Sequence, residues 1–521
     1  MARAAGPVIC EGMDMPRKSA LTLAFCLLAA AAGRAEVRPA RVFGDNMVLQ
    51  RELPVAVWGR ADPNEAVTVE LAGVSVGTKG AADGSWRIDL PPMKEHAAPL
   101  TLTVKGPANA VVFKNVLLGE VWLASGQSNM GRTVKVEDRH PAMRLFWRTL
   151  EAEGFIPRRD DFAEKDQVGW CESSPESLAA APPALVRGKP APRTDYGEVA
   201  YLFGRKIHEE LKVPVGLIWI AVGGSTAASW TPRPDIDQEF PFDKPAEGTY
   251  LAHKPGLMYQ SQLRPVAPYT VRGVIWYQGE DDGRNAEYAA DFTRLIESWR
   301  KLWNQPDMPF YFAQIAQTGY AGGMLGVWES QVKVMHSVPG TGLAVSNDIY
   351  EGTTNASFAR RIHQGNAQEP AIGWPIAGGS NPHPPNKRLV AERLADIALV
   401  RTYGRPDRPI FGPMYDSHQV KGDRILVKFK YAYGGLKTAD SETPNWFEIS
   451  DGSQETRKLK YAKAQARIAG PDAVEVWAPE IKDSKFVRFA WHTLARHNLE
   501  NSGGLPAVSF RTDRQVVNGW R

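Results

Sequence analysis

The sequence is poor in cysteine: 521 residues contain three, Cys10, Cys26 and Cys171. Only Cys171 lies beyond the N-terminal apolar stretch, so the rest of the chain has no intrachain disulfide to hold it. Long hydrophobic runs are missing too. Leu21 to Ala32 is apolar but too short to cross a bilayer as a helix, and no membrane span is expected. Charge of one sign is not in excess. The formal net charge is +4, without a basic stripe, which argues against nucleic acid as a partner. The helical zinc motif is absent: His208 begins "HEEL", with no second histidine one turn later. The glycine-x-serine-x-glycine elbow is not met around Ser128 either, because Met130 stands in place of the last glycine.

What remains has the make-up of a soluble globular protein, 43% hydrophobic and 23% charged. The length calls for two to four domains. Met15-Pro16-Arg17-Lys18, the apolar stretch and Gly33-Arg34-Ala35 form a secretory leader over residues 1–35. Met15 is an alternative start, since the residues before it do not fit a leader. Export to the periplasm or the medium is therefore expected. Sixteen Trp and fifteen Tyr suit either a β-rich core or sugar-stacking platforms, and core is the default for each.

Residues 36–112 alternate apolar and polar in short runs such as Val55-Ala56-Val57-Trp58, which indicates an antiparallel, sandwich-like β-domain. From 113 to 405 the texture changes. Buried strands are expected at Leu117–Ala124, Val213–Ile220, Val271–Tyr277, Pro309–Ile315 and Gly342–Val345. Helices are expected at Val199–Leu211, Tyr288–Trp303 and Lys387–Val400. Apolar strands alternating with helices predict a parallel α/β sheet covered on both faces. Residues 406–521 return to β texture and form a second β-domain. The segments 150–196 and 226–262 are long, Pro-rich and charged, and are expected as loops at the rim of a site.

Ligands of parallel α/β sheets lie at the carboxyl ends of the strands. Three strand ends here carry polar clusters: "SGQSN", "AVGGST" and "YQGEDD". Acyl transfer needs a nucleophile, a base and donors for an oxyanion. Ser128 is positioned as the nucleophile, although a serine after a strand is ordinarily a turn residue. Gly223-Gly224 brings backbone N–H groups close to a ligand, or simply makes a tight turn. Gln278 has an amide that could donate to an oxyanion, or is a polar loop residue. His383, held between prolines before the last helix, is the base candidate.

Together these stretches resemble the sialate O-acetylesterase family of the SGNH-hydrolase superfamily, nearly end to end. The resemblance rests on "DNMVLQRELPVAVWGRADPNEAVTV", "ADGSWRIDLPPM", "GEVWLASGQSNM", "VPVGLIWIAVGGSTAASWTPR", "VRGVIWYQGEDD", "NPHPPNKRLVAERLA" and "NLENSGGLPAVSFRTD". It implies an α/β fold: an SGNH-hydrolase-like parallel sheet domain flanked by N- and C-terminal β-sandwich-like domains. It implies Ser128 as nucleophile, His383 as base, and an oxyanion hole from the Ser128 N–H, Gly223 or Gly224, and Gln278. No metal or organic cofactor is implied. The implied substrate is an O-acetylated carbohydrate, either sialic acid or a plant or algal polysaccharide. A non-catalytic carbohydrate-binding relative and an esterase of other acyl preference are the alternatives.

Two departures from the family pattern stand out. The position two before His383, often Asp in the family, is Asn381, and the corresponding change costs serine proteases about 10⁴-fold in rate. Either the site works as a dyad, or Asp348 or Glu280 orients the imidazole, or the site is weakened. More than thirty residues also separate Asp348 from Asn381, an insertion (349–380) expected to overhang the site. Should sialate be the substrate, an arginine is needed for its carboxylate, and Arg132, Arg233 and Arg284 follow the catalytic blocks.

Overall fold

The computed structural model describes residues 36–148, 168–186, 189–233, 251–317, 324–349, 374, 382–406, 408–455 and 458–513. The leader, most of the 349–380 insertion and Asn381 therefore lie outside the described residues. The chain is a mixed α/β protein, mostly sheet with few helices.

A central sheet is built from Val48–Gln50 (β1), Ala110–Gly126 (β2), His140–Arg148 (β3), Val168–Ser173 (β4), Val215–Ala221 (β5), Gly273–Tyr277 (β6), Phe310–Ala313 (β7) and Thr341–Ala344 (β8). Its order is β4-β3-β5-β2-β6-β7-β8, with β1 beside the first half of β2. Every pairing is parallel except the antiparallel edge of β4 on β3. The strand β2 runs unbroken through position 112–113 and serves two sheets. Its first residues alternate between exposed and half-buried and pair antiparallel with His96–Lys105. From Val116 onward every residue is buried, as befits a central strand covered on both faces.

Glu198–Leu211 (α2), Tyr288–Trp303 (α3), Met324–Ser337 (α4) and Lys387–Arg401 (α5) cover the sheet, while the four-residue turn Ser128–Gly131 (α1) follows β2 directly. The expected helices and strands of this region form near their expected ends, except that the strand expected at Leu117–Ala124 begins earlier, at Ala110. Among the elements not foreseen are β3, β4 and α4. The stretch 150–196, expected as loop, contains β4 and the short helix Pro175–Ala180. Trp122, Trp230, Trp276, Trp299 and Trp328 are fully buried, so the core reading holds for them. One hydrophobic cluster joins the N-terminal strands to the central sheet, and a second, centred on Val427, Phe447, Val474 and Phe489, lies within residues 425–510.

Candidate active site

The site begins where β2 ends. Gly126 has φ +139°, and a Cβ there would sit 2.2 Å from the Tyr277 carbonyl oxygen. Glycine alone lets β2 come this close to β6 while turning. Gln127 then stitches the two strand ends together. Its N–H donates to the Tyr277 carbonyl (3.0 Å), its Oε1 accepts from the Gly279 N–H (3.2 Å), and its Nε2 donates to Asp281 (3.0 Å). Ser128 follows as the first residue of α1, where its own N–H has no intrahelical acceptor.

The turn before α5 brings His383 to this point. Asn386 caps that helix, accepting from the Leu389 N–H at 3.3 Å. The His383 Nε2 lies 2.7 Å from the Ser128 Oγ, within the reach required of a base and its nucleophile. Burial lowers the pKa of His383, and the charges of Lys387 and then Arg132 lower it further, against the opposing pull of Asp281. The imidazole is thereby held toward its neutral, proton-accepting form.

The strand β5 delivers Gly223-Gly224 alongside. Gly224 takes φ +70°, and a Cβ on Gly223 would lie 3.5 Å from the Ser128 Cβ. The paired glycines thus leave space directly beside the serine.

Gln278 corrects an expectation. It is fully buried, and its amide nitrogen donates to the Ser225 carbonyl (3.0 Å) and to Asp282 (2.5 Å), while its Oε1 accepts from the Tyr288 hydroxyl (3.2 Å). Both amide hydrogens are committed, so none is left for an oxyanion. The residue ties the loop after β6 to the loop after β5. Asp282 completes that tie by accepting from the Ala227 N–H at 2.8 Å.

The two carboxylates expected to orient His383 have other partners. Asp348 makes a two-pronged ion pair with Arg393, both contacts 2.6 Å. Glu280 accepts instead from the Asn129 side chain. The carboxylate whose charge reaches His383 is Asp281, which also accepts from Gln127 and lies 3.4 Å from His253. Of the three arginines, Arg132 acts on His383, Lys387 and Glu198 through its charge. Arg233 and Arg284 are exposed, and Arg284 makes no hydrogen bond or ion pair among the described residues.

Sequence reasoning missed two buried side chains here, Asn129 and Lys387. Asn129 donates to the Pro382 carbonyl (2.9 Å) and accepts from the Lys387 ammonium. It also missed a pocket at the carboxyl ends of β3 and β5, lined by Trp147, Arg148, Arg193, Asp195, Tyr196 and Trp219. Ala221, also on its wall, pairs with Gly126, and the Trp219 indole donates to the Met130 carbonyl at 2.9 Å. The pocket therefore adjoins the turn that carries Ser128. No group of three or more potential metal-ligating side chains occurs among the described residues.

Comparison with known proteins points the same way as the chemistry. The profile of a family described as carbohydrate esterase, sialic acid-specific acetylesterase, matches residues 118–362. Sialate O-acetylesterases of Pongo abelii and Homo sapiens are each 25% identical over 529 aligned residues, covering 92% of this chain and 93% of theirs. The crystal structure of a carbohydrate acetylesterase from Xanthomonas citri superimposes with a TM-score of 0.71 at 25% identity, covering 92% of this chain and all of that one. By sequence and by fold, the chain is similar to the sialate O-acetylesterases, and this likeness supports a carboxylic-ester hydrolase.

Proposed function

We propose that the protein is an exported carbohydrate O-acetylesterase that works through Ser128 and His383 by way of an acetyl-enzyme. The observation that carries this reading is the 2.7 Å contact between Ser128 Oγ and His383 Nε2 at the carboxyl edge of the sheet. In the first half-reaction Ser128 Oγ bonds to the acetyl carbon as its proton passes to His383 Nε2. Negative charge gathers on the carbonyl oxygen, for which the Ser128 N–H and the N–H groups of the Gly223-Gly224 turn are the donors at hand. The tetrahedral centre then expels the sugar oxygen, which takes the proton from His383. In the second half-reaction His383 takes a proton from a water whose oxygen bonds to the acetyl carbon, the bond to Ser128 Oγ breaks as that oxygen takes the proton back from His383, and acetate leaves. Asp281 acts on the imidazole through its charge.

The sugar is assigned from the relatives, which are named for sialate or carbohydrate acetyl esters. Sialic acid and acetylated plant or algal polysaccharides are the two substrate classes. The pocket beside Ser128 favours an acidic sugar. Arg148 is half-buried there and donates to the main-chain carbonyls of Gln262 (3.0 Å) and Ser261 (3.2 Å). Among the described residues no carboxylate pairs with it, so its remaining N–H groups suit a sugar carboxylate. Burial draws the guanidinium down to about 10, which leaves it cationic at neutral pH. Export rests on the leader over residues 1–35. No helix among the described residues is long and apolar enough to cross a membrane.

The reading is tested by acetate release from O-acetylated sialate and from acetylated xylo-oligosaccharide. Turnover of at least one, lost in Ser128→Ala, supports it. No turnover of either, with binding of the sugars retained, would identify a non-catalytic carbohydrate-binding relative instead.

A further inference from the structure

Beneath the Ser128–His383 contact lie three buried polar side chains that the reaction as written does not use. Asn129 and Lys387 are fully buried and Glu280 is 3% exposed. The Asn129 amide joins the other two: its Oδ1 accepts from the Lys387 ammonium and its Nδ2 donates to the Glu280 carboxylate. The same Nδ2 donates to the Pro382 carbonyl at 2.9 Å, the peptide that leads into His383. Four segments of the site therefore meet on one amide: the turn after β2, the loop after β6, the loop carrying His383, and the first residue of α5.

The arrangement is costly, which is the reason to look for a purpose. Charged groups taken out of water cost several kcal/mol each unless well paired, and apolar residues of similar size would often be more stable. The Glu280 and Lys387 charges do not touch, because the amide stands between them, and Glu280 Oε2 has no hydrogen-bond partner among the described residues. Lys387 also occupies the first position of α5, where the helix dipole disfavours a cation. Its ammonium faces the Tyr277 ring at 5.1 Å. A residue that breaks a local rule in this way, beside a nucleophile, is the pattern of a functional site.

We propose that Asn129, Lys387 and Glu280 are a positioning device: Asn129 clamps the His383 loop to the nucleophile turn, and it seats the Lys387 ammonium beside that loop. This rests on the esterase reading of Ser128 and His383. The charged groups acting on His383 are Lys387 from α5, Arg132 from the segment after α1, and Asp281 from the loop after β6. Those acting on Lys387 are Glu280, Arg132 and Glu198. Among the described residues, two cations and one carboxylate act on the imidazole. Burial pushes the Lys387 ammonium down and the Glu280 carboxyl up. The Lys387 charge resists protonation of the His383 imidazole.

The test is the pH dependence of kcat/KM for p-nitrophenyl acetate, using the full chain and the variants Lys387→Met, Lys387→Arg, Asn129→Ala and Ser128→Ala. Lys387→Met is expected to move the acid limb up by about one pH unit, the scale of a nearby like charge, and Lys387→Arg to leave it in place. Asn129→Ala is expected to lower kcat about 100-fold with KM little changed, as for a misplaced catalytic group. An unmoved limb in Lys387→Met, or a wild-type kcat in Asn129→Ala, overturns the proposal. Should Lys387→Met not fold, Lys387→Gln takes its place, with the same upward move of the limb expected and an unmoved limb overturning the proposal. Unmoved limbs with Ser128→Ala inactive sink this inference alone; a wild-type rate in Ser128→Ala sinks the esterase reading with it.

Discussion

The Ser128 hydroxyl and the His383 imidazole stand 2.7 Å apart across 255 residues of sequence. One comes from the end of the central strand β2, the other from the turn into the last helix of the sheet region. Neither is fixed by the other. Ser128 is placed by the Gly126 turn and the Gln127 stitching, and His383 by Asn386 and Asn129. Preorganisation of this kind is what lets a weak nucleophile react at neutral pH.

In the proposed mechanism, His383→Ala removes the group that moves the proton in both half-reactions. The expected loss in kcat is at least about 10⁴-fold, with KM changed little. Steady-state kinetics on p-nitrophenyl acetate check this, and a loss below about tenfold would mean that another base serves Ser128.

Gly126→Ala is expected to damage the fold and the site together. The new Cβ would meet the Tyr277 carbonyl at 2.2 Å in a backbone conformation that L side chains rarely adopt. Strain of this type costs about 1–3 kcal/mol before the clash is counted. Urea unfolding is expected to show at least that loss, with activity falling in the protein that remains folded.

Gln278→Ala separates a tie from an oxyanion donor. The amide holds the Asp282 carboxylate, which is buried and whose pKa burial raises. Leaving that carboxyl without its donor is expected to cost about 1–3 kcal/mol of stability. An unchanged unfolding midpoint combined with a 100-fold or greater loss of kcat would restore Gln278 to the oxyanion hole.

Arg148→Ala is expected to raise KM about tenfold or more for an acetylated sugar that carries a carboxylate, matching a lost charged hydrogen bond of about 1.5–3 kcal/mol. Neutral acetylated sugars and p-nitrophenyl acetate are expected to be unaffected. Equal losses on both classes would assign Arg148 to holding the segment around Ser261 and Gln262.

Much of this was readable in the sequence because the central strands are apolar runs bounded by polar clusters. Tyr288–Trp303 shows a clean helical stripe and forms at those residues. The unforeseen strand β3 reads "HPAMRLFWR". It opens next to a proline and carries Arg144 at 2% exposure, a charge balanced by Glu172 on β4 at 3.2 Å. Such a cross-strand pair is invisible until the strands are placed. The site residues divide the same way. Ser128 and His383 stand out by motif, whereas Gln278, polar and directly after a strand, looks like a free donor and is instead spent on its neighbours. Asn129 and Lys387 look like a turn residue and a solvated charge. The available signal was Lys387 at a helix start, where a cation is unfavourable.

The most direct measurement of the central claim is acetate release from O-acetylated sugars by the wild-type protein and by Ser128→Ala, side by side at neutral pH. The expected result is steady release by the wild type and a rate lower by at least about 10⁴-fold in the variant. Equal rates in the two proteins, whether measurable or nil, would contradict the assignment of Ser128 as the nucleophile of a carbohydrate esterase.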